Sequence, residues 1–326
     1  MRHPTLATDS PVSVHPSPGH TATSTWGVAG IEPLSRLQSY GDQREGRYGW
    51  RMDQGGSVPT LRDAAAVDPV DHGRFVVELS RFYTVMDHPN GGYLQVVMAN
   101  AALAAASQDG SSHLHATAVT TNYIGAPTVG AATLEAQVRK VGRGVSFVHV
   151  ELIQDGLVTT ESLVTLGTLH DGSARYLGAS APDIAPLASC RRSTGGDEVN
   201  IARIVDLRMD PDTAGWSIGE LRDVGEVRGW LRLDEGSSGW DASALLFASD
   251  ALPPATFPLG SSGWVPTLQL TSYVRRIPVG EWLRARQWCL VIADGVVDER
   301  CELFDERGEL VASSSQLAMV RFPSHS

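Results

Sequence analysis

The chain has 326 residues, 42% hydrophobic and 19% charged, which is ordinary globular composition and enough for about two domains of roughly 100–200 residues each. Its formal net charge of -11 argues against a nucleic acid or an anionic membrane as the partner, because both repel an acidic surface. Cys190, Cys289 and Cys301 share no metal-ligand spacing, and no secretory signal precedes them, so free thiols in a reducing compartment are expected. These features predict a cytoplasmic protein.

Residues 1–71 are rich in Ser, Thr, Pro, Gly and His and have few periodic apolar positions. Such a composition cannot bury enough apolar surface to offset the entropy of ordering the chain. We therefore expect a largely disordered N-terminal extension.

Residues 72–176 have the pattern of an antiparallel sheet with one buried helix. The helix is predicted over Leu94–Ser107, a run of small and apolar residues with almost no charge. Asn90 can cap it, and Gly91-Gly92 leaves the N–H groups of its first turn uncovered. Alternating residues from Leu134 to Arg139 and hairpin turns then indicate strands, without any βαβ alternation. The fold class is therefore α+β.

Residues 177–204 contain Pro, Ser and Gly and are predicted to link this domain to a second one at 205–326. The second domain contains a short helix that begins after Asp241, a good N-cap, and stops before Pro253-Pro254. Asp250 falls near its C-terminal end, where the helix dipole disfavours an acid. A structural residue is rarely an acid at such a place, so Asp250 is the first candidate for chemistry.

The second half repeats the order of elements in the first half. Equivalent positions lie 150 residues apart, such as Asn100 with Asp250 and Thr117 with Thr267. The shared order of helix, strand and hairpins predicts an internal duplication.

Several short motifs together identify a family. In the first half they are Asn90-Gly91-Gly92-Tyr93, Tyr123-Ile124 with Gly130, and Arg139 to Gly144; in the second half they are Ala248-Ser249-Asp250, Thr267, Arg275-Arg276 with Pro278, Glu281-Trp282-Leu283, and Val311-Ala312-Ser313 with Gln316. With these motifs the chain resembles bacterial type II acyl-CoA thioesterases and related thioesterase-like proteins from about residue 72 to 323. The resemblance implies a double hot-dog fold, in which two tandem domains each wrap an antiparallel sheet around a central helix.

The resemblance also implies a catalytic set of Asp250, Thr267 and Gln316, an acyl-CoA substrate, no metal or redox cofactor, and a homo-oligomer. All three residue types occur in the order and spacing of the family. The chain departs from the type member at Gln269-Leu270, where that protein has Asp-His.

Thioester hydrolysis requires an activated water and donors for the developing oxyanion. Asp250 can accept a proton from the water, while Thr267 and Gln316 can orient the water by hydrogen bonds. The N–H groups of Gly91, Gly92 and Tyr93, at the positive end of a helix, are candidates for substrate binding at the oxyanion.

Two alternative functions remain open at this stage. One is a non-catalytic hot-dog protein that binds acyl-CoA, and the other is a hot-dog enoyl-CoA hydratase. The hydratases need an Asp and a His at the start of the helix, and Asp87-His88 matches that signature weakly because no further His follows.

Two other groups have weak functional interpretations. His113 and His115 could be metal ligands on one strand face, but no cluster of further ligands accompanies them. Arg275-Arg276 could bind CoA phosphates or could be an exposed pair on a strand.

Overall fold

The computed structural model describes residues 58–323, apart from 171, 197 and 235–238. Within this part the helices are α1 (Leu61–Ala64), α2 (Gly91–Gln108) and α3 (Ala242–Ala248). The strands are β1 (Asp68–Asp71), β2 (Arg74–Leu79), β3 (Thr84–Val85), β4 (His88–Pro89), β5 (His115–Tyr123), β6 (Gly130–Val141), β7 (Ser146–Gln154), β8 (Leu157–Gly167), β9 (Arg191–Arg192), β10 (Val205–Met209), β11 (Glu226–Leu233), β12 (Thr267–Val274), β13 (Leu283–Ala293), β14 (Val296–Phe304) and β15 (Leu310–Met319).

Apart from the small β3–β4 pair, these strands form one antiparallel sheet in the order β1-β2-β6-β7-β8-β5-β12-β15-β14-β13-β11-β10-β9. The first half contributes β2-β6-β7-β8-β5, and the second half contributes the equivalent series β11-β13-β14-β15-β12. The halves join where β5 pairs with β12, with Thr120 opposite Thr271. The same strand order on both sides of this junction confirms the predicted repeat and the double hot-dog α+β fold.

Helix α2 lies against the sheet of the first half, as the sequence predicts. It begins where Asn90 Oδ1 accepts a hydrogen bond of 3.0 Å from the Tyr93 N–H. Val97 and Ala101, further along the helix, are 0% exposed, and small side chains allow the helix to approach the strands closely. Among the described residues, no helix is both long enough and apolar enough to cross a membrane.

Helix α3 is short and ends before Asp250. Asp241 caps it by accepting a 2.7 Å hydrogen bond from the Ala244 N–H, as predicted. The last turn tightens, because the N–H of Asp250 donates to the carbonyl of Phe247, three residues back, at 3.1 Å. Asp250 therefore lies in the turn that follows the helix, and its expected place on the helix is wrong.

The predicted extension over residues 1–71 is wrong for residues 58–71. Leu61 and Ala64 of α1 are buried in the core, and β1 pairs with β2. Tyr93 Oη donates to the Ala64 carbonyl at 2.6 Å, and Asn100 Nδ2 donates to the Ala65 carbonyl at 2.8 Å. A helix of four residues shows too few apolar positions for a periodic pattern. Residues 1–57 lie outside the described part of the chain.

The segment 177–204, predicted as a linker, also contributes to the sheet. Its strand β9 pairs with β10, with Arg191 opposite Met209 and Arg192 opposite Arg208. Arg192 and Arg208 both contact the carboxylate of buried Asp206, so an ion pair joins β9 to β10 as well as the strand pairing.

Candidate active site

Asp250 lies where the second half of the chain meets the start of α2 in the first half. Its Oδ2 accepts hydrogen bonds from the backbone N–H of Gly92 at 2.9 Å and from Asn90 Nδ2 at 3.0 Å. Asn90 Nδ2 also donates to the backbone carbonyl of Asp250 at 3.0 Å. The partly buried acid is therefore held at the helix end whose dipole favours a negative charge.

The two glycines at the start of α2 permit this contact because a side chain would collide with Asp250. A Cβ on Gly91 would lie 2.8 Å from Tyr123 Oη and 2.9 Å from Asp250 Oδ2. A Cβ on Gly92 would lie 2.9 Å from Asp250 Cβ and 2.9 Å from the carbonyl oxygen of Leu246. Tyr123 Oη donates to the Gly91 carbonyl at 2.8 Å and so fixes the first turn from the side of β5.

The first-turn N–H groups of α2 are occupied. The Gly92 N–H donates to Asp250, and the Tyr93 N–H donates to Asn90. The Gly91 N–H also acts on the Asp250 carboxylate and lowers its pKa. The expectation that Gly91, Gly92 and Tyr93 offer uncovered N–H groups to an oxyanion is therefore wrong, because a neighbouring carboxylate and the N-cap satisfy them.

Thr267 and Gln316 contact each other across β12 and β15. Thr267 Oγ1 donates to Gln316 Oε1 at 3.1 Å. The pairing of β12 with β15 shifts between Thr267 and Gln269, an irregularity that interrupts the alternation of side chains. As a result Thr267 lies opposite buried Ala318 and shares the inner face with Leu270 and Gln316, although simple alternation would turn it outward.

Glu299 of β14 completes this group, although no motif in the sequence indicated it. It is 0% exposed and lies opposite Gln316 in the strand register. Its Oε2 accepts hydrogen bonds from Gln316 Nε2 at 2.5 Å and from Gln287 Nε2 at 3.2 Å. Its Oε1 accepts a 2.8 Å hydrogen bond from the backbone N–H of Ala255, five residues after Asp250.

A pattern in β14 could have revealed Glu299. Side chains at alternate positions share a face of a strand, and Val297, Glu299, Cys301 and Leu303 are all buried. A glutamate among apolar residues on an inward face is rare unless it has partners, and it therefore indicates a functional or structural role.

Burial determines the electrostatics of the site. The pKa of Asp250 is raised to about 7, mainly by burial and also by the charge of Glu299, whereas the donors Gly92, Asn90 and Gly91 oppose the shift. Burial also raises the pKa of Glu299, against the effect of its hydrogen-bond donors. A carboxylate with a pKa near neutrality can take up and release a proton under ordinary conditions.

Of the predicted catalytic set, the structure brings Thr267 and Gln316 into direct contact with each other. Within the described residues, no hydrogen bond joins either of them to Asp250. The connection runs through Glu299, which binds Gln316, holds the segment that follows Asp250, and acts on Asp250 through its charge. The pair Thr267–Gln316 and the carboxylate of Asp250 are therefore linked through Glu299, without a direct hydrogen bond between them.

The two histidines considered as metal ligands form other contacts. His113 Nδ1 lies 3.0 Å from Ser146 Oγ, and His115 Nδ1 accepts a 3.1 Å hydrogen bond from the Leu169 N–H. Each ring is therefore held in place by the loops and strands around it, which supports the structural interpretation of the pair.

A different group has the composition of a metal site. His149, Glu151 and Glu161 place their ligand atoms within 4.8 Å of one another on β7 and β8. Glu161 accepts a 2.9 Å hydrogen bond from Asn122 Nδ2, so one of its oxygens already has a protein donor.

The remaining candidates form contacts of their own. Arg276 pairs with Glu309 at 3.1 Å, whereas Arg275 is exposed. The ring of His88, in the short strand β4, stacks on Trp264 with their centroids 4.6 Å apart.

Two family models match the chain. The first, described as the N-terminal domain of acyl-CoA thioesterases, matches residues 80–167, and the second, described as their C-terminal domain, matches residues 181–320. The chain belongs to the acyl-CoA thioesterase family. It is accordingly a thioester hydrolase with an acyl-CoA substrate, and the two matched domains correspond to the two halves of the sheet.

Individual relatives agree with this assignment. An uncharacterized protein of Mycobacterium tuberculosis is 31% identical over 266 residues, which cover 76% of this chain and 90% of the relative. The crystal structure of a candidate thioesterase II from Thermobifida fusca is 34% identical, with a TM-score of 0.73, covering 82% of this chain and 100% of that one. A hot-dog protein of Alicyclobacillus acidocaldarius is 21% identical with a TM-score of 0.70, covering 81% of this chain and 98% of that one, and supports the fold.

The departure from the family pattern at Gln269-Leu270 lies beside the thioesterase site. Gln269 is exposed and donates to Asn122 Oδ1 at 3.1 Å, on the side of β12 that faces away from the site. Leu270 is 0% exposed and lies opposite Gln316. Of these two residues, the one on the inner face of β12, beside the site, is therefore the apolar Leu270.

Proposed function

We propose that this thioesterase hydrolyses acyl-CoA by direct attack of water, with Asp250 as the general base. The observation that carries the proposal is the Asp250 carboxylate, held at a helix N-terminus with its pKa raised to about 7. An exposed aspartate titrates near ~3.9 and is a much weaker base. A base with a pKa near the working pH combines sufficient strength with a large ionised population.

Thr267 and Gln316 orient the attacking water. The Thr267 O–H points to Gln316 Oε1, so the lone pairs of Thr267 Oγ1 are available to accept a hydrogen bond from the water. One N–H of Gln316 is bound to Glu299, and the described contacts leave its second N–H available to donate to the water oxygen. The second O–H of a water held in this way donates a hydrogen bond to the Asp250 carboxylate.

In the chemical step the water oxygen bonds to the thioester carbonyl carbon, and its proton passes to the Asp250 carboxylate. The tetrahedral intermediate then loses the C–S bond, and the CoA thiolate takes the proton back from Asp250. The enzyme itself forms no covalent intermediate.

We also propose that the protein works as a homo-oligomer in the cytoplasm. In the middle of the sheet, β7 and β8 on one side of β5 and β12 and β15 on the other expose large apolar side chains, namely Phe147 at 42%, Leu163 at 62%, Tyr273 at 46% and Leu317 at 42%. A second copy can cover such a patch. Light scattering that finds only monomers at working concentrations would reject this part of the proposal.

The direct test is thiol release from short, medium, long and aromatic acyl-CoAs by wild type, Asp250→Asn and Asp155→Asn. Asp155 occupies a hairpin turn at φ 51°, a conformation that asparagine adopts readily, so its variant is a matched control. Wild type and the control should hydrolyse at least one substrate, and Asp250→Asn should lose about a hundredfold or more in rate. Acyl-CoA binding without hydrolysis by wild type would instead identify a binding protein.

A further inference from the structure

Glu299 is a buried carboxylate without a basic partner among the described residues. It is 0% exposed, and its contacts come from amide groups instead of from Lys or Arg. A charge in such a place is costly unless several donors satisfy it. This cost indicates that the residue has a role beyond filling the core.

The contacts of Glu299 join the two parts of the active site. One oxygen binds the backbone N–H of Ala255, and the N–H of Thr256 also acts on the carboxylate, so Glu299 holds the segment that follows Asp250. The other oxygen binds the side-chain amides of Gln316 and Gln287.

These contacts also determine how the amide of Gln316 is oriented. A carboxylate only accepts hydrogen bonds, so the NH₂ end of Gln316 must face Glu299 and its oxygen must face Thr267. If the amide were reversed, its oxygen would meet the carboxylate, and the Thr267 hydroxyl would lose its acceptor. Thr267 is thereby left with its lone pairs toward the attacking water.

We propose that Glu299 is a positioning residue for thioester hydrolysis, which fixes the Gln316 amide, holds the segment that follows Asp250, and contributes a negative charge to the site. The inference rests on the proposed function of Asp250, Thr267 and Gln316. Glu299 is 0% exposed behind Gln316, so it acts on the substrate through these neighbours.

Other titratable groups face the same region. They are Tyr123 on β5, Cys301 on β14 and Cys289 on β13, and burial raises the pKa of each of them. All three are therefore neutral near pH 7, whereas Glu299 accepts hydrogen bonds from N–H donors on both oxygens, which is the arrangement of an ionised carboxylate.

Two substitutions separate the two roles. Glu299→Gln keeps the shape but removes the charge, and its NH₂ group must face either the Ala255 N–H or the Gln316 amide, donor against donor. Glu299→Asp keeps the charge but shortens the side chain, so it cannot hold Gln316 and the Ala255 segment together. Glu302→Gln is the matched control, because Glu302 lies on β14 but is turned to the opposite face.

We expect both Glu299 variants to lose about tenfold to a hundredfold in kcat with a smaller change in KM, as follows from a misplaced catalytic group. Only Glu299→Gln should move the acidic limb of the pH–rate profile to lower pH, because removing a negative neighbour makes Asp250 easier to ionise. The control should match wild type in both respects.

Three results would overturn the inference. The first is a wild-type kcat in folded Glu299→Asp, and the second is an acidic limb of Glu299→Gln at the same pH as in wild type. The third is a loss of kcat in Glu302→Gln equal to that of the Glu299 variants. If Glu299→Gln does not fold, the kcat of Glu299→Asp decides. The pH dependence of unfolding provides a second measurement that needs no activity: the inflection due to Asp250 should move to lower pH in Glu299→Gln. An inactive wild type that shows this movement would reject the hydrolase proposal but not the action of Glu299 on Asp250.

Discussion

Asp250 Oδ2 accepts a 2.9 Å hydrogen bond from the backbone N–H of Gly92, a residue 158 positions earlier in the chain. The acid comes from the second repeat, and the helix end that holds it comes from the first. A functional base therefore depends on the correct packing of the two repeats, and changes in either repeat should alter its pKa.

The stability of the protein should depend on pH through Asp250. Its pKa of about 7 in the folded state exceeds the value near ~3.9 of an unfolded aspartate. Its contribution to stability is therefore fully present below about pH 4, decreases as the pH rises, and is lost above about pH 7. The Asp250→Asn variant has no titrating carboxyl group at this position, so it does not lose stability in this way as the pH rises. At pH 8 we expect its free energy of unfolding to exceed that of wild type by at most about 4 kcal/mol.

Denaturant unfolding of wild type and Asp250→Asn between pH 5 and pH 8 measures this difference. The advantage of the variant should grow with pH. If the difference in unfolding free energy between the two proteins were constant across this pH range, burial would not raise the pKa of Asp250.

Gly92→Ala should disrupt the contact between the repeats. The added Cβ would lie 2.9 Å from both Asp250 Cβ and the Leu246 carbonyl, so α2 must move away. We expect a loss of about 1–3 kcal/mol in unfolding free energy, together with a lower kcat. Gly144→Ala is the control, since a Cβ there meets nothing within 4 Å, and equal losses in the two variants would contradict this explanation.

Asn90→Ala should shift the pH–rate profile in the direction opposite to Glu299→Gln. Asn90 donates to the carboxylate and lowers the pKa of Asp250, so its removal should raise that pKa and move the acidic limb to higher pH. The lost N-cap should also cost about 1 kcal/mol in stability. Thr60→Ala removes the cap of α1, a residue that forms no hydrogen bond with Asp250, and it should leave the acidic limb in place.

Thr267 and Gln316 should act as a unit. Thr267→Val and Gln316→Met each remove the hydrogen bond between them, so the loss of kcat in the double variant should be smaller than the product of the single losses. Thr271→Val is the control, because Thr271 contacts Thr120 on the other face of β12. Independent, multiplicative effects would mean that the two side chains do not share one water.

Local patterns in the sequence predicted much of this structure. Capping residues marked the starts of α2 and α3 at Asn90 and Asp241, and alternation with hairpin turns marked most strands. These features depend on neighbours a few residues apart, so they can be read from one chain. Asp250 was a candidate from its place near the end of α3, and the resemblance to a family then added Thr267 and Gln316.

Other parts of the site depend on contacts between distant residues. The expectation of an uncovered N–H group at Gly92 was wrong because Asp250, far along the chain, accepts its hydrogen bond. The inward turn of Thr267 results from an irregular pairing of β12 that spacing does not show. Glu299 was overlooked although its place between buried Val297 and Cys301 was a readable sign.

The most direct test of Asp250 as the base is the pH dependence of kcat/KM for acyl-CoA hydrolysis by wild type, with Asp250→Asn as the baseline. Below about pH 7 the wild-type rate should fall about tenfold per pH unit, and above it the rate should level off, since one carboxylate must ionise. Asp250→Asn should be slow and lack this limb. A wild-type limb near pH 4, or the same limb in both proteins, would contradict the assignment of Asp250.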